Sequence, residues 1–281
     1  MEEKRAKAST IGHRSNEDDG KMAFKLILYE KDEAVATITL NRPETLNAFS
    51  REVVEEVLQA LEDVKNDENV RVVVLTGAGE KAFSAGADIK AMIGMNALRA
   101  RDLSLMGEKL CLALENLEKP VVAALNGYAL GGGLEVAMAC DLRIASENAR
   151  MGQTEINIGL IPGWGGTQRL TRLIGRTKAK ELVFTGRMID AKTAEQLGIV
   201  NMVVPTDKFR ETVRQFALDL AAKAPVAIKV AKALINKGAD ISLHSALALE
   251  REGFGVVAST EDLQEGVKAF TEKRKPAFKG K

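Results

Sequence analysis

The sequence predicts an α/β fold in which short buried strands alternate with helices, followed by a helical C-terminal region. Three observations support this prediction. The runs VRVVVLT at 70–76 and VVAAL at 121–125 are continuous and apolar, as expected for strands that are covered on both faces. Each run leads into a glycine-rich stretch and then into a segment with helical spacing. Beyond Pro205 the apolar pattern is helical almost throughout.

The individual elements are predicted from local patterns along the chain. The β-branched residues of FKLILYE and AVATITL, which the polar KDE separates, predict a hairpin of strands at 24–30 and 34–40. Apolar residues recur at helical spacing after Ser50, which can cap a helix over 50–65. The other predicted elements, in order, are a strand at 70–76, a helix near 100–118, a strand at 121–125, short strands at 141–146 and 149–151, two short helices, a strand in IVNMVVP and the C-terminal helices, one of them capped by Thr260.

Composition and charge indicate a globular protein with no general attraction to polyanions. The 281 residues are 46% hydrophobic and 28% charged, so a sizeable core can form. Forty basic and 39 acidic side chains leave a formal net charge of +1, which favours neither nucleic acid nor an anionic membrane. We therefore expect neither as a partner.

The N-terminal residues 1–21 are predicted to form a flexible leader, with Met22 as a candidate second start. They are polar and rich in acidic side chains, which argues against an organellar transit peptide, and they lack the apolar core of a signal peptide. No apolar run approaches the roughly eighteen residues of a membrane span. We expect a cytoplasmic protein with a core at 22–205, which holds the candidate site, and a helical oligomerisation region at 206–281.

The chain has few residues for nucleophilic, metal or redox chemistry. Its histidines are His13 in the leader and His244 in the helical tail, and it has no G-x-S-x-G or H-E-x-x-H pattern, so neither a hydrolase triad nor a zinc protease site is expected. Gly77-x-Gly79 matches the dinucleotide-binding fingerprint weakly, because a second glycine-rich turn comes before any helix. Cys111 and Cys140 lie in apolar segments, so we expect two reduced, buried thiols.

Two separated glycine-rich turns, AGAD at 85–88 and GGG at 131–133, each follow a predicted strand and precede a predicted helix. Backbone N–H groups at a helix start have no intrahelical acceptor and lie at the positive helix end, so two of them can converge on a developing oxyanion. Glycine also lets a substrate carbonyl approach closely. Each turn taken alone can equally be explained as a tight connection between a strand and a helix.

Two glutamates follow these turns in apolar surroundings. Glu135, in GGGLEVAMAC, is expected to be buried, which requires either an arginine or a capping partner, with Arg143 and Arg169 as the candidate arginines, or a substrate pocket in which its pKa is raised. Glu155, in MGQTEINIG, can be a surface carboxylate or the second member of an acid–base pair. The two glutamates and the two turns together favour an enzyme site.

Three long motifs resemble the crotonase family and, within it, the enoyl-CoA hydratases. They are AFSAGADI at 82–89, NGYALGGGLEVAMACDLRIA at 126–145 and GQTEINIGLIPGWGGTQRL at 152–170. The resemblance runs from about residue 24 to the end and includes FTEKRKPAF at 270–278. It implies a spiral of ββα units with C-terminal helices that build a trimer or a hexameric dimer of trimers. It also implies reversible syn addition of water to a trans-2-enoyl-CoA, giving a 3-hydroxyacyl-CoA, in fatty acid or related acyl-CoA metabolism.

The resemblance further implies roles for individual residues. Ala87 and Gly132 would supply the two N–H groups of an oxyanion hole. Glu135 would activate the water, and Glu155 would deliver a proton to the α carbon. The residues that would line the acyl-CoA site are Ala87, Asp88, Ile89, Lys90, Gly132 and Trp164. No metal or redox cofactor is expected, because coenzyme A is part of the substrate.

One position departs from the commonest form of the motif. Trp164, in PGWGG, stands where a small residue is usual, so its indole is expected either to shorten the acyl pocket or to pack beside it. The basic residues Lys273, Arg274 and Lys275 can meet coenzyme phosphates or form a solvated helix end.

Two alternative functions are an enoyl-CoA isomerase of the same family and an RNA-binding family member. The isomerase alternative predicts that one of the two glutamate positions holds another residue, whereas both are Glu here. RNA binding predicts a clustered basic surface with stacking aromatic residues, whereas this chain is nearly neutral and 4% aromatic.

Overall fold

The computed structural model describes residues 24–281, and the expected leader and His13 lie outside them. The described residues form ten strands: β1 (Ile27–Asp32), β2 (Val35–Leu40), β3 (Val72–Gly77), β4 (Ala82–Ser84), β5 (Val121–Leu125), β6 (Tyr128–Leu130), β7 (Leu142–Ser146), β8 (Arg150–Gly152), β9 (Ile189–Asp190) and β10 (Met202–Val204). The same residues form nine α-helices: α1 (Arg51–Asn66), α2 (Ala97–Asn116), α3 (Gly132–Ala139), α4 (Gly166–Thr185), α5 (Ala191–Gln196), α6 (Phe209–Ala221), α7 (Pro225–Gly238), α8 (Leu243–Ala258) and α9 (Glu261–Thr271).

The strands are arranged in two sheets. The six-stranded sheet has the order β1-β2-β3-β5-β7-β10, in which β1 is antiparallel to β2 and the remaining neighbours are parallel. The four-stranded sheet has the order β4-β6-β8-β9, with β4, β6 and β8 parallel and β9 antiparallel to β8.

The chain alternates between these sheets as it advances. β3, β5 and β7 join the six-stranded sheet, and the strand that follows each of them, β4, β6 or β8, joins the four-stranded sheet. A helix then returns the chain: α2 follows β4, α3 follows β6 and α4 follows β8. This confirms the predicted α/β spiral of ββα units. It also brings the carboxyl ends of β4, β6 and β8 to one edge, because parallel neighbours end on the same side of a sheet.

The first elements form as their sequence pattern predicts. β1 and β2 are the expected hairpin, which pairs Ile27 with Leu40. α1 begins after Ser50, whose Oγ accepts a hydrogen bond from the Val53 amide at 3.4 Å. Its buried face packs against β1, β2 and α2 and consists of Val53, Val54, Val57, Ala60, Leu61 and Val64. The predicted helix over 50–65 is therefore confirmed.

The central strands are covered on both faces, as their continuous apolar sequence predicts. In β3 the side chains of Val73 and Leu75 belong to the main hydrophobic core, between the sheet and helices α1 to α3. Val72 and Val74 point to the opposite face, where they pack with Phe209 and other apolar residues of α6. The alternation follows from the two-residue period of a strand.

Two segments differ from the predicted elements. The glycine-rich stretches after β3 and β5 are not only loops, because each contains a three-residue strand, β4 or β6. The predicted two short helices correspond to α4 and α5, but α4 is 20 residues long and is interrupted at Gly175, where φ is 76°. Glycine adopts this left-handed conformation without the steric cost that a Cβ brings.

The C-terminal helices are much more exposed than the core. Between Thr206 and Thr271 the chain is mostly helical. Helix α6 packs on the six-stranded sheet, whereas neither α7 nor α8, both within the described residues, contains a buried residue. Their exposed apolar side chains include Ile235, Leu243, Leu247, Leu249, Phe254 and Val256. None of the helices in residues 24–281 has the length and apolarity needed to cross a bilayer. The domain boundary at residue 206 stays a prediction.

One lysine attaches α7 to the core. The ammonium group of Lys232 lies 2.7 Å from Oδ2 of Asp141 and also donates to the carbonyl oxygens of Leu114 and Lys119, each at 3.2 Å. The Lys232 side chain is 8% exposed, so water contributes little to its solvation. These three contacts connect α7 to the ends of α2 and α3.

We expect Lys232→Met to destabilise the fold, because it leaves the Asp141 carboxylate without its cation. Removing one partner of a buried ion pair costs about 3 to 5 kcal/mol, and the partial exposure of Asp141 places the expected loss in the free energy of unfolding at the lower end. Lys229→Met is the matched control. Lys229 lies on the same helix as Lys232, and its ion pair with Glu118 is exposed. Urea unfolding of both variants measures the difference, and equal midpoints would contradict the anchoring role.

Candidate active site

The turn that follows β4 holds an amide free for a ligand. Gly86 has a φ of 103°, and its N–H donates to Oγ of Ser84 at 3.1 Å. The Gly86 carbonyl accepts from the Phe49 amide at 2.8 Å, and the Asp88 amide donates to the Phe49 carbonyl at 2.9 Å. Between these two anchored residues, the N–H of Ala87 donates to no acceptor among residues 24–281.

The turn that follows β6 presents a second such amide. The Gly131 amide donates to the carbonyl of Gly152 at 2.9 Å, and Gly132 is the first residue of α3. The Gly132 N–H therefore has no intrahelical acceptor. A Cβ placed on Gly132 would lie 3.3 Å from the Ala87 nitrogen, so the two predicted oxyanion amides lie side by side.

Glu135, on the first turns of α3, is buried with a relative exposure of 2%. Its Oε1 accepts hydrogen bonds from the amides of Trp164 and Gly166, at 2.7 and 2.6 Å. Burial raises the pKa of Glu135 above its usual range, while these amides and the more distant Arg169 oppose the rise. Backbone N–H groups thus stabilise the Glu135 carboxylate, and they bind only one of its two oxygens.

Neither arginine considered as a partner pairs with Glu135. Arg143 donates to backbone carbonyls, including those of Ile199 and Cys140 at 2.6 and 2.7 Å. Arg169 pairs with Glu115, with 2.6 Å between Nε and Oε1. The alternative of a simple cationic partner is therefore wrong, because both guanidinium groups are already satisfied elsewhere.

Glu155 begins a 3-10 helix, Glu155–Ile158, after β8. Its carboxylate faces the Gly131 turn, since a Cβ on Gly131 would lie 3.1 Å from Oε1. Burial raises the pKa of Glu155 to about 7, and the negative charge of Glu135 adds to the rise. Because burial and the charge of Glu135 both raise its pKa, Glu155 is the carboxyl group of the site that more readily holds a proton at neutral pH.

Gln153, which no sequence motif marks as a site residue, lies beside Glu155. This side chain is 1% exposed, and with its amide nitrogen directed at Glu155 it donates to both carboxylate oxygens, at 3.0 and 3.1 Å. Its position two residues before Glu155 is the sequence signal that could have identified it.

Trp164 is packed, and it also lines the candidate cavity. Its side chain is 3% exposed and makes an edge-on contact with Phe49, at 5.7 Å between ring centroids. A Cβ on Gly107 of α2 would lie 2.0 Å from the indole, and one on Gly132 would lie 3.0 Å from it. The indole therefore occupies the space that two glycines leave open, beside the Gly132 amide.

The two turns, the two glutamates and Trp164 line one cavity of about 160 Å³. Its lining includes the predicted residues Ala87, Ile89, Gly132, Glu135, Glu155 and Trp164. The predicted binding residues Asp88 and Lys90 lie outside this lining: Asp88 accepts from the Lys90 amide at 3.1 Å, and the Lys90 side chain is exposed. A larger depression of about 510 Å³ between the six-stranded sheet and α6 contains neither glutamate.

The other candidate groups do not reach the cavity lining. His244 is exposed on α8, and the Cys111 and Cys140 thiols are free and buried in the core. Arg274 pairs with Glu265 at 2.6 Å and Glu272 at 2.7 Å. Within residues 24–281, no group of three His, Cys, Asp or Glu side chains is arranged to hold a metal ion.

Two free amides beside two carboxyl groups of different environment define a site for acid–base chemistry next to a polarised carbonyl. A sequence model described as enoyl-CoA hydratase/isomerase matches residues 30–281. The chain is 47% identical to a short-chain-enoyl-CoA hydratase of Clostridium acetobutylicum, over 90% of this chain and 97% of that protein. It is 42% identical to a crotonyl-CoA hydratase of Syntrophomonas wolfei, over 92% of this chain and 99% of the relative.

A solved structure shows the same fold. The crystal structure of an enoyl-CoA hydratase from Bacillus anthracis superposes with a TM-score of 0.89 at 44% sequence identity, and the match covers 92% of this chain and all of that one. The chain belongs to the enoyl-CoA hydratase/isomerase family. The predicted resemblance and fold class are confirmed.

The contact between Gly107 and the indole gives a testable prediction. We expect Gly107→Ala to displace the Trp164 side chain, because the new methyl group overlaps it, and to cost about 1 to 3 kcal/mol of stability. Trp164 is the only tryptophan, so a red shift of the emission maximum reports its displacement.

Gly266→Ala is the control for this substitution. It also adds a methyl group within a helix, but the nearest atom, on the Phe278 ring, lies at an ordinary 3.4 Å. Unchanged emission and stability in Gly107→Ala would show that the indole does not need the space above Gly107.

Proposed function

We propose that this enzyme is a short-chain enoyl-CoA hydratase that adds water reversibly across the double bond of a trans-2-enoyl-CoA. The observation that carries the proposal is the single cavity that joins the Ala87 and Gly132 amides with Glu135 and Glu155. The names of the two relatives support this substrate class. Coenzyme A enters as part of the substrate, and the chemistry requires no metal or redox cofactor.

The first role belongs to the amides of Ala87 and Gly132. A thioester oxygen placed between them accepts two hydrogen bonds, which strengthen as negative charge moves onto it. Polarisation of the carbonyl makes the β carbon of a conjugated double bond electrophilic. One such donor typically contributes about 3 to 4 kcal/mol to lowering the barrier, so the pair supplies a large part of the acceleration.

Glu135 is the general base for the attacking water. Its Oε1 is held by two amides, which leaves Oε2 as the oxygen that accepts the water proton. The water oxygen forms a bond to the β carbon, and the electron pair of the double bond moves through the α carbon to the thioester oxygen. Glu135 is neutral and the substrate is an enolate after this transfer.

Glu155 completes the addition as the general acid. Its pKa of about 7 lets it hold a proton at neutral pH, and it transfers that proton to the α carbon as the enolate collapses to the thioester. The water has then supplied the hydroxyl group, and the proton now on Glu135 replaces the one lost from Glu155. Because both glutamates line one cavity, addition of both groups to one face of the substrate, the syn course, is favoured.

Trp164 favours a short acyl chain. The indole forms part of the wall of a small cavity and is fixed by Phe49 and Gly107, so it does not move aside without repacking the core. The proposal therefore places crotonyl-CoA among the preferred substrates.

The test of the proposed function follows the loss of enoyl-thioester absorbance with crotonyl-CoA and with longer homologues. Rapid loss with crotonyl-CoA, and slower loss with longer chains, is the expected result. The isomerase alternative predicts conversion of a 3-enoyl-CoA without hydration, and the RNA-binding alternative predicts salt-dependent RNA retention with no hydration. Either result would replace the proposal.

We expect Glu135→Gln and Glu155→Gln each to lower hydration by at least about 10² to 10⁴, because an amide keeps the shape of the side chain but does not transfer the proton. Acyl-CoA binding and folding should change little. Since both groups serve one reaction, the double variant should lose far less than the product of the single losses. Turnover close to that of the parent in either single variant would make that glutamate structural.

The two pKa shifts predict the pH dependence. The active pair holds one proton, on Glu155 for hydration and on Glu135 for dehydration, so both directions require the same total charge. As the pH rises through about 7, Glu155 loses that proton, and kcat/KM should fall in both directions with the same midpoint. Initial rates of hydration and dehydration between pH 5 and 9 measure this, and a kcat/KM that does not fall between pH 7 and 9 would refute the role of a protonated Glu155.

We also propose that the enzyme assembles as a trimer or a dimer of trimers. The exposed apolar side chains of α7 and α8 support this, because a helix pair without a buried residue requires a partner surface. Sedimentation at micromolar concentration should give a mass of three or six chains of 30.3 kDa. A monomeric mass would refute the assembly without affecting the proposed reaction.

A further inference from the structure

The segment that binds Glu135 consists of three consecutive peptide units between Gly163 and Gly166. The first unit donates the Trp164 N–H to Oε1 of Glu135, and the third donates the Gly166 N–H to the same oxygen. The middle unit, between Trp164 and Gly165, makes no contact with Glu135 but links the two that do. Its orientation therefore sets the angle between the two donors.

A bidentate ion pair holds this middle peptide unit. Nη1 of Arg169 donates to the Trp164 carbonyl oxygen at 2.7 Å. The other side of the same guanidinium donates to Glu115 on α2, with 2.6 Å from Nε to Oε1 and 2.8 Å from Nη2 to Oε2. All three guanidinium nitrogens are used, and the planar group has no freedom left to rotate.

Two further contacts fix the loop at residues 163–166. Gly165 has a φ of 104°, and a Cβ there would lie 2.0 Å from Nη1 of Arg169, so the guanidinium lies directly against the backbone. The Ser104 hydroxyl, also on α2, donates to the Gly163 carbonyl at 2.5 Å. The carbonyl groups of Gly163 and Trp164 therefore each accept a hydrogen bond from a side chain, Ser104 for the first and Arg169 for the second.

We propose that Arg169 and Glu115 are positioning residues for the general base, which hold the Trp164–Gly165 peptide so that two amides fix one oxygen of Glu135 and direct the other at water. The inference rests on the proposed function for the role of Glu135 as a base. Neither residue lines the cavity. Both act through the backbone of the loop.

The charge of Arg169 adds a second effect. The groups that face Glu135 are Arg169 from α4, Glu155 from the 3-10 helix and the buried Cys111 from α2. Burial raises the pKa of the Cys111 thiol to about 12, so it is neutral. Arg169 is thus the one cation among these groups, and it opposes the rise in the pKa of Glu135 that burial causes.

The experiment compares Arg169→Lys, Arg169→Gln and Glu115→Gln with the parent enzyme. Arg169→Lys keeps the charge but has no fork to hold both Glu115 and the carbonyl, so kcat should fall roughly 10- to 100-fold, while KM changes less than about threefold. Arg169→Gln also removes the charge, so the acidic limb of the pH profile should move to higher pH. Glu115→Gln should lower kcat by a smaller factor.

Arg172→Lys and Asp240→Asn are the matched controls. Arg172 lies three residues further along α4 and forms an exposed pair with Asp240 at 3.5 Å, so both control variants should keep the parent kcat and pH profile. Variants of Arg169 and Glu115 that lose thermal stability but keep kcat and the acidic limb would overturn the proposal and leave a purely structural ion pair.

A measurement without substrate separates this inference from the proposed function. The infrared carboxyl band that disappears in Glu135→Gln reports the protonation of Glu135 directly. In Arg169→Gln the titration of that band should move to higher pH, and in Arg172→Lys it should not move. If the parent enzyme hydrates no enoyl-CoA, the proposed function fails. The infrared titration still tests whether the charge of Arg169 lowers the pKa of Glu135. An unmoved band would overturn the charge coupling even in an active hydratase.

Discussion

The structure depends on how a carboxylate can be kept inside an apolar core. Glu135 lies on a helix whose residues are all buried, and burial of an unpartnered charge would cost more than a typical protein has in stability. The solution is two backbone amides on one oxygen, supplied by a loop that is itself fixed by α2 and α4. This arrangement stabilises the anion without neutralising it, and it leaves the second oxygen chemically available.

The two glutamates have identical side chains, so their pKa values differ only because their surroundings differ. Burial raises the pKa of both carboxyl groups, but two amide donors and the field of Arg169 oppose the rise at Glu135, whereas the negative charge of Glu135 adds to the rise at Glu155. Glu135 is therefore the group that more readily becomes a carboxylate, and Glu155 the group that more readily stays an acid. The spiral makes this possible because successive turns place the ends of β6 and β8 next to each other, each with its own environment.

Local patterns were sufficient to predict the elements with strong periodicity, and they marked the two glycine-rich turns and the two glutamates of the candidate site. The roles of individual residues came from the family resemblance, and Gln153 was missed. α1 and the strands β3 and β5 follow from apolar spacing alone, since each buries whole faces of regular structure. The strands β4 and β6 were missed because three residues in a glycine-rich stretch have no measurable period. Arg143 and Arg169 were wrong as partners of Glu135 for a different reason: its donors are backbone N–H groups, which exist at almost every position, so no residue type marks the ones that matter.

The order in which the site residues occur along the chain has a consequence for synthesis. Ala87 comes from the first turn of the spiral, Gly132 and Glu135 from the second, and Glu155 from the third. The two amides that accommodate Glu135 come last, from Trp164 and Gly166. In a chain that folds from its N-terminus, α3 therefore forms before the donors to Glu135 are in place, and until then Glu135 stays hydrated or protonated. Docking of α4 is thus a folding step that is sensitive to protons, because it supplies the amides that allow Glu135 to be buried as an anion.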